Sequence, residues 1–176
     1  ELRQISVVLP AGYEDQPNAS YPVLYVLDGA QQMSHTAGTA TALYTYGEMP
    51  ALIIVGVDSI ERTLDMTPTP LPGVAKSGSA DKFLGFLVEE LKPYIAGRYR
   101  TNEYSMLAGH SFGGLLAAYS VIARPQDYQA RFAFSPSLRF LGPELVEQLR
   151  ARVTTGTDTN SFFYMNVGGE QQRAGV

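Results

Sequence analysis

The chain contains no cysteine, which removes disulfides, thiol catalysis and cysteine-ligated zinc together. Clustered positive charge is also missing. The 13 Lys and Arg are outnumbered by 17 Asp and Glu, for a net charge of −4, so neither nucleic acid nor an anionic membrane surface is an expected partner. No apolar run approaches the ~18 residues a membrane-spanning helix needs. No internal repeat, low-complexity tract or signal peptide is visible, although the chain opens at Glu1 inside a strand-like run and an earlier N-terminus is expected. Histidine is scarce: His35 and His110 are the two in the chain. What remains is 176 residues, 45% hydrophobic and 17% charged. That suits one globular domain over residues 1–176, expected to be incomplete at both ends.

Apolar patterning predicts alternating strands and helices. Leu2–Pro10 alternates around Ile5, Val7 and Leu9 as a half-buried strand. Val23–Leu27 and Ala51–Val57 are continuously apolar, as expected of strands covered on both faces in a parallel sheet. Gln31–Tyr46 is helix-compatible. Asp58–Gly78, with Pro68, Pro70 and Pro72, has no periodicity; a loop this long in a compact domain points to function. Its place after a strand end sets it at the sheet edge where α/β proteins bind ligands. A helix is predicted from Ser79 as N-cap, with Phe83, Phe86, Leu87, Leu91, Tyr94 and Ile95 at 3–4 spacing, and Pro93 should kink or end it. Arg131–Phe134 and Ser161–Val167 are further strands, with a short helix over Pro143–Arg150 between them. Strands alternating with helices indicate an α/β fold with a largely parallel sheet.

The centre of the chain is Tyr104–Gly114, Y-S-M-L-A-G-H-S-F-G-G. A strand-like run ends in Gly109-His110-Ser111-Phe112-Gly113, and the helix former Leu115–Ala123 follows. G-x-S-x-G between a strand and a helix is the nucleophile elbow, a strained turn that lifts a serine hydroxyl clear of the sheet. Glycine near 7% makes the pentapeptide alone expected in roughly one chain in fifteen of this length, so the setting carries the reading. Gly109 and Gly113 leave room for the tight turn, and the helix behind Ser111 aims its free N–H groups and positive dipole end at the reacting centre.

The ordered motifs Y-P-V-L-Y-V-L-D-G (Tyr21–Gly29), R-T-L-D-M-T-P-T-P (Arg62–Pro70), G-H-S-F-G-G (Gly109–Gly114) and S-P-S-L (Ser135–Leu138) resemble the putative-esterase branch of the α/β-hydrolases. That branch is similar to bacterial siderophore esterases of the enterobactin and salmochelin type. More distantly it includes esterase D, feruloyl esterases and the mycobacterial mycolyltransferases. The resemblance covers nearly the whole chain. It implies an α/β-hydrolase fold, with a mostly parallel sheet and helices on both faces, expected to lack its C-terminal strand here. It also implies hydrolysis of a small-molecule carboxylic ester without cofactor or metal, in the bacterial cytoplasm or periplasm.

By the same resemblance, Ser111 is the nucleophile that forms an acyl-enzyme. The backbone N–H groups of Phe112 and Ala30 are the oxyanion donors, stabilising the developing charge by roughly 3–4 kcal/mol each. Arg62 lies where these esterases meet an anionic or catecholate-rich substrate, and His35 stands near the site mouth as a candidate substrate contact. Glu170 is the candidate acid, following the last strand. The fold orders its triad Ser, then acid, then His, yet no histidine follows Ser111; the base is expected beyond Val176. His110 is expected to pack or hydrogen-bond under the turn. Asp28 and Asp58 read as turn or loop anchors, and Ser135 and Ser137 as pocket wall. Two alternatives stay open: an acyltransferase with the same nucleophile, which an acceptor alcohol would reveal, and a binding module that has lost its base, which would resist a serine-reactive probe.

Overall fold

The computed structural model describes residues 2–155 and 161–167. Their strands form one six-stranded sheet: β1 (Ile5–Val8), β2 (Tyr21–Leu27), β3 (Ile53–Val57), β4 (Thr101–His110), β5 (Ala130–Phe134) and β6 (Phe162–Asn166), in the order β1-β3-β2-β4-β5-β6. Only β1 runs antiparallel, with Ile5 opposite Val57; the other pairings are parallel. β2 and β3 are buried along both faces, which is why they carry no polar alternation.

Helices cover both faces. Helix α1 (Gly29–Thr45) packs on β3, β1 and β2, over a small core of Val26, Leu52 and Ile54. The larger core lies on the other face. There Tyr25, Leu27, Val55 and Leu107 meet Phe83, Leu87 and Ile95, and α5 (Phe112–Ala123) adds its buried Leu115–Ala118 stretch. Helix α6 (Pro143–Thr155) packs against α5. The expected architecture, a mostly parallel sheet between two helical layers, is present.

Local departures have local causes. The segment 58–78 is not structureless: Arg62–Met66 forms a short helix, α2, held by Asp65, whose carboxylate accepts from Arg3 at 2.6 and 3.1 Å and from the Ile60 N–H. Five residues are too few to show a periodicity. Ser79 occupies the N-cap position of α3 (Ala80–Gly85), but its side chain makes no capping bond; its carbonyl accepts from Lys82 and Phe83 instead. Helix α3 runs through a π-type turn, Phe86–Leu91, into α4 (Lys92–Ala96), with Pro93 in the first turn of α4. The wide turn takes up the missing proline N–H and its ring without ending the helix.

Arg131 on β5 is 1% exposed. Its guanidinium donates to Ser120 Oγ and to the carbonyls of Tyr128, Arg124 and Pro125, so the buried charge is held by aligned backbone dipoles. Beside it the Tyr128 ring is fully enclosed, and its hydroxyl has no hydrogen-bond partner among the described residues. Burial pushes the Tyr25 and Tyr128 phenols well up, and Tyr119 is pushed up to about 12 by burial and by its hydrogen bond to Asp81. Folded values above the unfolded ~10 mean that the native state holds these protons more tightly. Their contribution is complete below pH 10 and lost as pH rises through the folded values. Tyr128→Phe is therefore expected to leave stability at pH 7 unchanged or raised by about 1 kcal/mol, and to flatten the loss above pH 10. Urea titrations at pH 7 and 11 would show both; an equally steep alkaline loss in the variant would count against Tyr128 as a source.

Candidate active site

The carboxyl ends of β2, β3 and β4 converge, and each contributes one part of the site. Strand β4 ends at His110, α5 begins at Phe112, and Ser111 between them has φ 58 and ψ −112. This conformation is strained for a residue with a side chain, as a nucleophile elbow requires. Gly109 permits it: a Cβ there would lie 2.8 Å from the Gly113 Cα and closer still to its carbonyl. Gly113 is the looser of the expected pair, with Leu27 Cβ at 3.2 Å and Asp28 Oδ2 at 3.3 Å from an added Cβ. Gly114, which the motif alone does not single out, is tighter, because its Cβ would meet the Phe134 carbonyl at 2.8 Å.

The elbow is tied to β5. Ser111 N–H donates to the Phe134 carbonyl at 3.0 Å, the Ser111 carbonyl accepts from Ser137 N–H at 3.1 Å, and Ser111 Oγ lies 3.3 Å from Ser137 Oγ. Ser137 is thus more than pocket wall, since it contacts the serine hydroxyl itself. The turn that presents it includes Ser135 at φ 41, whose N–H donates to the Asn166 carbonyl at the end of β6. As the first residue of α5, Phe112 has no acceptor within its own helix for its N–H.

Across from the elbow, Asp28 follows β2 at φ 57 and stands just before α1, with Gly29 pressed on β3: an added Cβ would lie 2.7 Å from the Gly56 carbonyl carbon. The next N–H, that of Ala30, donates to Asp58 Oδ1 at 2.8 Å. An anionic oxygen already sits on this N–H. Asp28 and Asp58 both anchor their turns, as expected from their positions. Arg62 stands at this edge with its guanidinium on Asp28, Nε to Oδ1 and Nη2 to Oδ2, both at 2.8 Å.

The histidines lie elsewhere. His110 is exposed rather than tucked under the turn. Strand alternation carries its side chain to the α1 face, where it lines a cavity of about 440 Å³ together with His35, Leu24, Phe132 and Phe134. His35 is also exposed, on α1. Neither has a hydrogen bond to Ser111 among the described residues. Beyond that cavity the same sheet face carries a run of touching rings, Phe132 with Phe134 and Phe162, then Phe134 with Tyr164. Glu170 lies outside the described residues. Among the described residues no cluster of three or more His, Asp or Glu is arranged to hold a metal ion, and no helix is long and apolar enough to cross a membrane.

A parallel sheet flanked by helices, with a strained serine between strand and helix, is the α/β-hydrolase arrangement, and solved relatives share it. An IroE-like serine hydrolase from Shewanella oneidensis superposes with a TM-score of 0.84 at 34% identity, covering 93% of this chain and 55% of that one. The sequence profile of the family described as "Putative esterase" matches residues 1–163, and the chain belongs to that family. Among curated proteins it is similar to the siderophore triacetylfusarinine C esterase of Aspergillus fumigatus, 27% identical over 165 residues, covering 86% of this chain and 56% of the relative. It is also similar to the ferri-bacillibactin esterase BesA of Bacillus subtilis, 29% identical over 154 residues, covering 75% and 53%. The chain thus spans about half the length of these curated relatives.

Proposed function

We propose that the protein containing this chain is a serine hydrolase of carboxylic esters, acting through an acyl-enzyme on Ser111, with siderophore-type esters as its substrates. The observation that carries the reading is the strained backbone of Ser111 at the β4–α5 junction, a conformation retained at a cost and explained by presenting its hydroxyl. The names of the curated relatives support the substrate class.

In this reading Ser111 Oγ attacks the ester carbonyl carbon as its proton passes to a general base. The carbonyl oxygen takes the negative charge beside the Phe112 N–H. Collapse of the tetrahedral species expels the alcohol and leaves the acyl group on Ser111, and water then repeats the sequence. Neither His35 nor His110 bonds Ser111, so the base comes from outside the described residues, as does the acid, for which Glu170 remains the candidate. Ala30 becomes a second donor only by exchanging Asp58 Oδ1 for the substrate oxygen, since a carboxylate left in place would repel the oxyanion. His35 and His110 border the cavity beside the elbow, where an aromatic substrate arm has apolar walls to lie against.

A fluorophosphonate probe tests this directly. The intact protein is expected to gain one probe mass, mapped by peptide sequencing to the tryptic peptide holding Ser111. Hydrolysis of a trilactone ester with no adduct at Ser111 would move the chemistry elsewhere and sink the proposal.

A further inference from the structure

Asp28 is the residue just before α1, where an aspartate ordinarily turns its carboxylate onto the first-turn N–H groups of its helix. Here it makes no side-chain capping bond. Both of its oxygens instead face Arg62, and the pair is asymmetric in burial, with 6% of the Asp28 side chain exposed against 37% for Arg62. The bidentate fork uses two guanidinium N–H groups with fixed geometry. Arg62 Nη2 also donates to the carbonyl of His110 at 3.3 Å, and its guanidinium carbon lies 5.3 Å from the centre of the Phe112 ring. Asp28 Oδ2 in turn sits against Gly113, at 3.3 Å from where a Cβ would stand. One side chain therefore touches the residue before Ser111, the residue after it, and the turn that presents Ala30.

We propose that Arg62 is a positioning residue, a brace that sets the spacing between the Asp28–Ala30 turn and the Ser111 elbow. This rests on the esterase reading above and assigns Arg62 a role different from meeting the charge of an anionic substrate. The Nε and Nη2 edge is committed to Asp28 and to the His110 carbonyl, so a ligand could be met only through Nη1. Its loss would let the turn carrying the Ala30 N–H drift from the elbow, and misplacement of a reacting geometry by about 1 Å can cost ~100-fold in rate. The brace belongs to the transition state of every ester alike, because it acts on the donors and not on the acyl chain. The effect should therefore fall on kcat with KM preserved.

The experiment compares the intact wild-type protein with Arg62→Lys, Arg62→Met, Asp28→Asn and the double variant Arg62→Met/Asp28→Asn. Each is checked for a native circular dichroism spectrum and assayed on two aryl esters, one neutral and one carrying a carboxylate on its acyl chain. The expected result is a kcat lower by about 100-fold for Arg62→Met, with KM within about twofold and the same loss on both esters. Lysine keeps the charge but not the fork, so Arg62→Lys should fall nearly as far. The double variant should fall no further than the worse single one, as expected of two groups acting as a unit. A KM that rises only for the anionic ester, with kcat intact and lysine rescuing it, would overturn the brace in favour of a substrate contact. Multiplying losses in the double variant would overturn it too. A wild-type protein inert toward both esters and toward the fluorophosphonate would remove the esterase reading itself, and the brace with it.

Discussion

Ser111→Ala is expected to abolish fluorophosphonate labelling and to lower ester turnover by a factor on the order of 10⁶, the scale found when a serine nucleophile is removed from a complete site. The fold should not notice. Ser111 is bound to its surroundings through its backbone, by the bonds to Phe134 and Ser137, and alanine keeps both. Removing the hydroxyl takes away only its 3.3 Å approach to Ser137 Oγ among the described residues. Glycine at the same place should behave differently. The φ of 58 and ψ of −112 cost a residue with a Cβ about 1–3 kcal/mol, whereas glycine adopts them freely and gives back only about 0.5–1 kcal/mol in chain entropy. Ser111→Gly is therefore expected to be as inactive as Ser111→Ala but more stable by roughly 1 kcal/mol, a rise of about 2–4 °C in melting temperature. Thermal scans of the three proteins side by side would decide it, and equal melting temperatures for the Gly and Ala variants would show that the elbow is not strained.

Gly109→Ala should produce a large loss of stability. The new Cβ would lie 2.8 Å from the Gly113 Cα and closer to the Gly113 carbonyl. These are backbone atoms at the start of α5, unable to swing aside as a side chain could. The helix is held from behind by Leu115 and Leu116, both fully buried, so relief requires α5 to move off the sheet. A cost of at least about 3 kcal/mol is expected, lowering the melting temperature by roughly 6–12 °C. Any folded fraction should lose Ser111 labelling, because the turn must open to admit the methyl. By contrast Gly38→Ala, at a helical glycine with open space around it, should be neutral or stabilising by up to about 1 kcal/mol. An unchanged melting temperature for Gly109→Ala would refute the crowding argument.

The parts legible in the sequence were those set by neighbours along the chain. Continuous apolarity marked β2 and β3 as doubly covered strands, and G-x-S-x-G between strand and helix located the elbow. The expectation that His110 packs under the turn was wrong: it is exposed and lines the cavity on the α1 face, where strand alternation from Leu107 carries it with Ala108. What could not be read depended on residues distant in sequence. Arg62 meets Asp28 across 34 positions and Ala30 meets Asp58 across 28, and no local pattern predicts either contact. A single serine ahead of a helix, such as Ser79, announces a cap without fixing where its hydroxyl turns. Gly114 was hidden for another reason: its crowding comes from the Phe134 carbonyl on a neighbouring strand, visible only once β4 and β5 are paired.

The hydrogen bonds around Ser111 also divide the site by timescale. Its N–H is locked into the β4–β5 pairing, and its carbonyl into the turn that β6 supports. Proton exchange with solvent at that amide therefore requires those strands to separate, which puts it among the slowest-exchanging amides of the domain. The Ala30 N–H is held by a single carboxylate on a solvent-facing loop, and local fluctuations suffice to free it. Deuterium uptake should thus separate the two within one site, the serine exchanging over hours or longer and Ala30 within minutes. Reactivity would sit on a clamped nucleophile facing an adjustable receptor for charge.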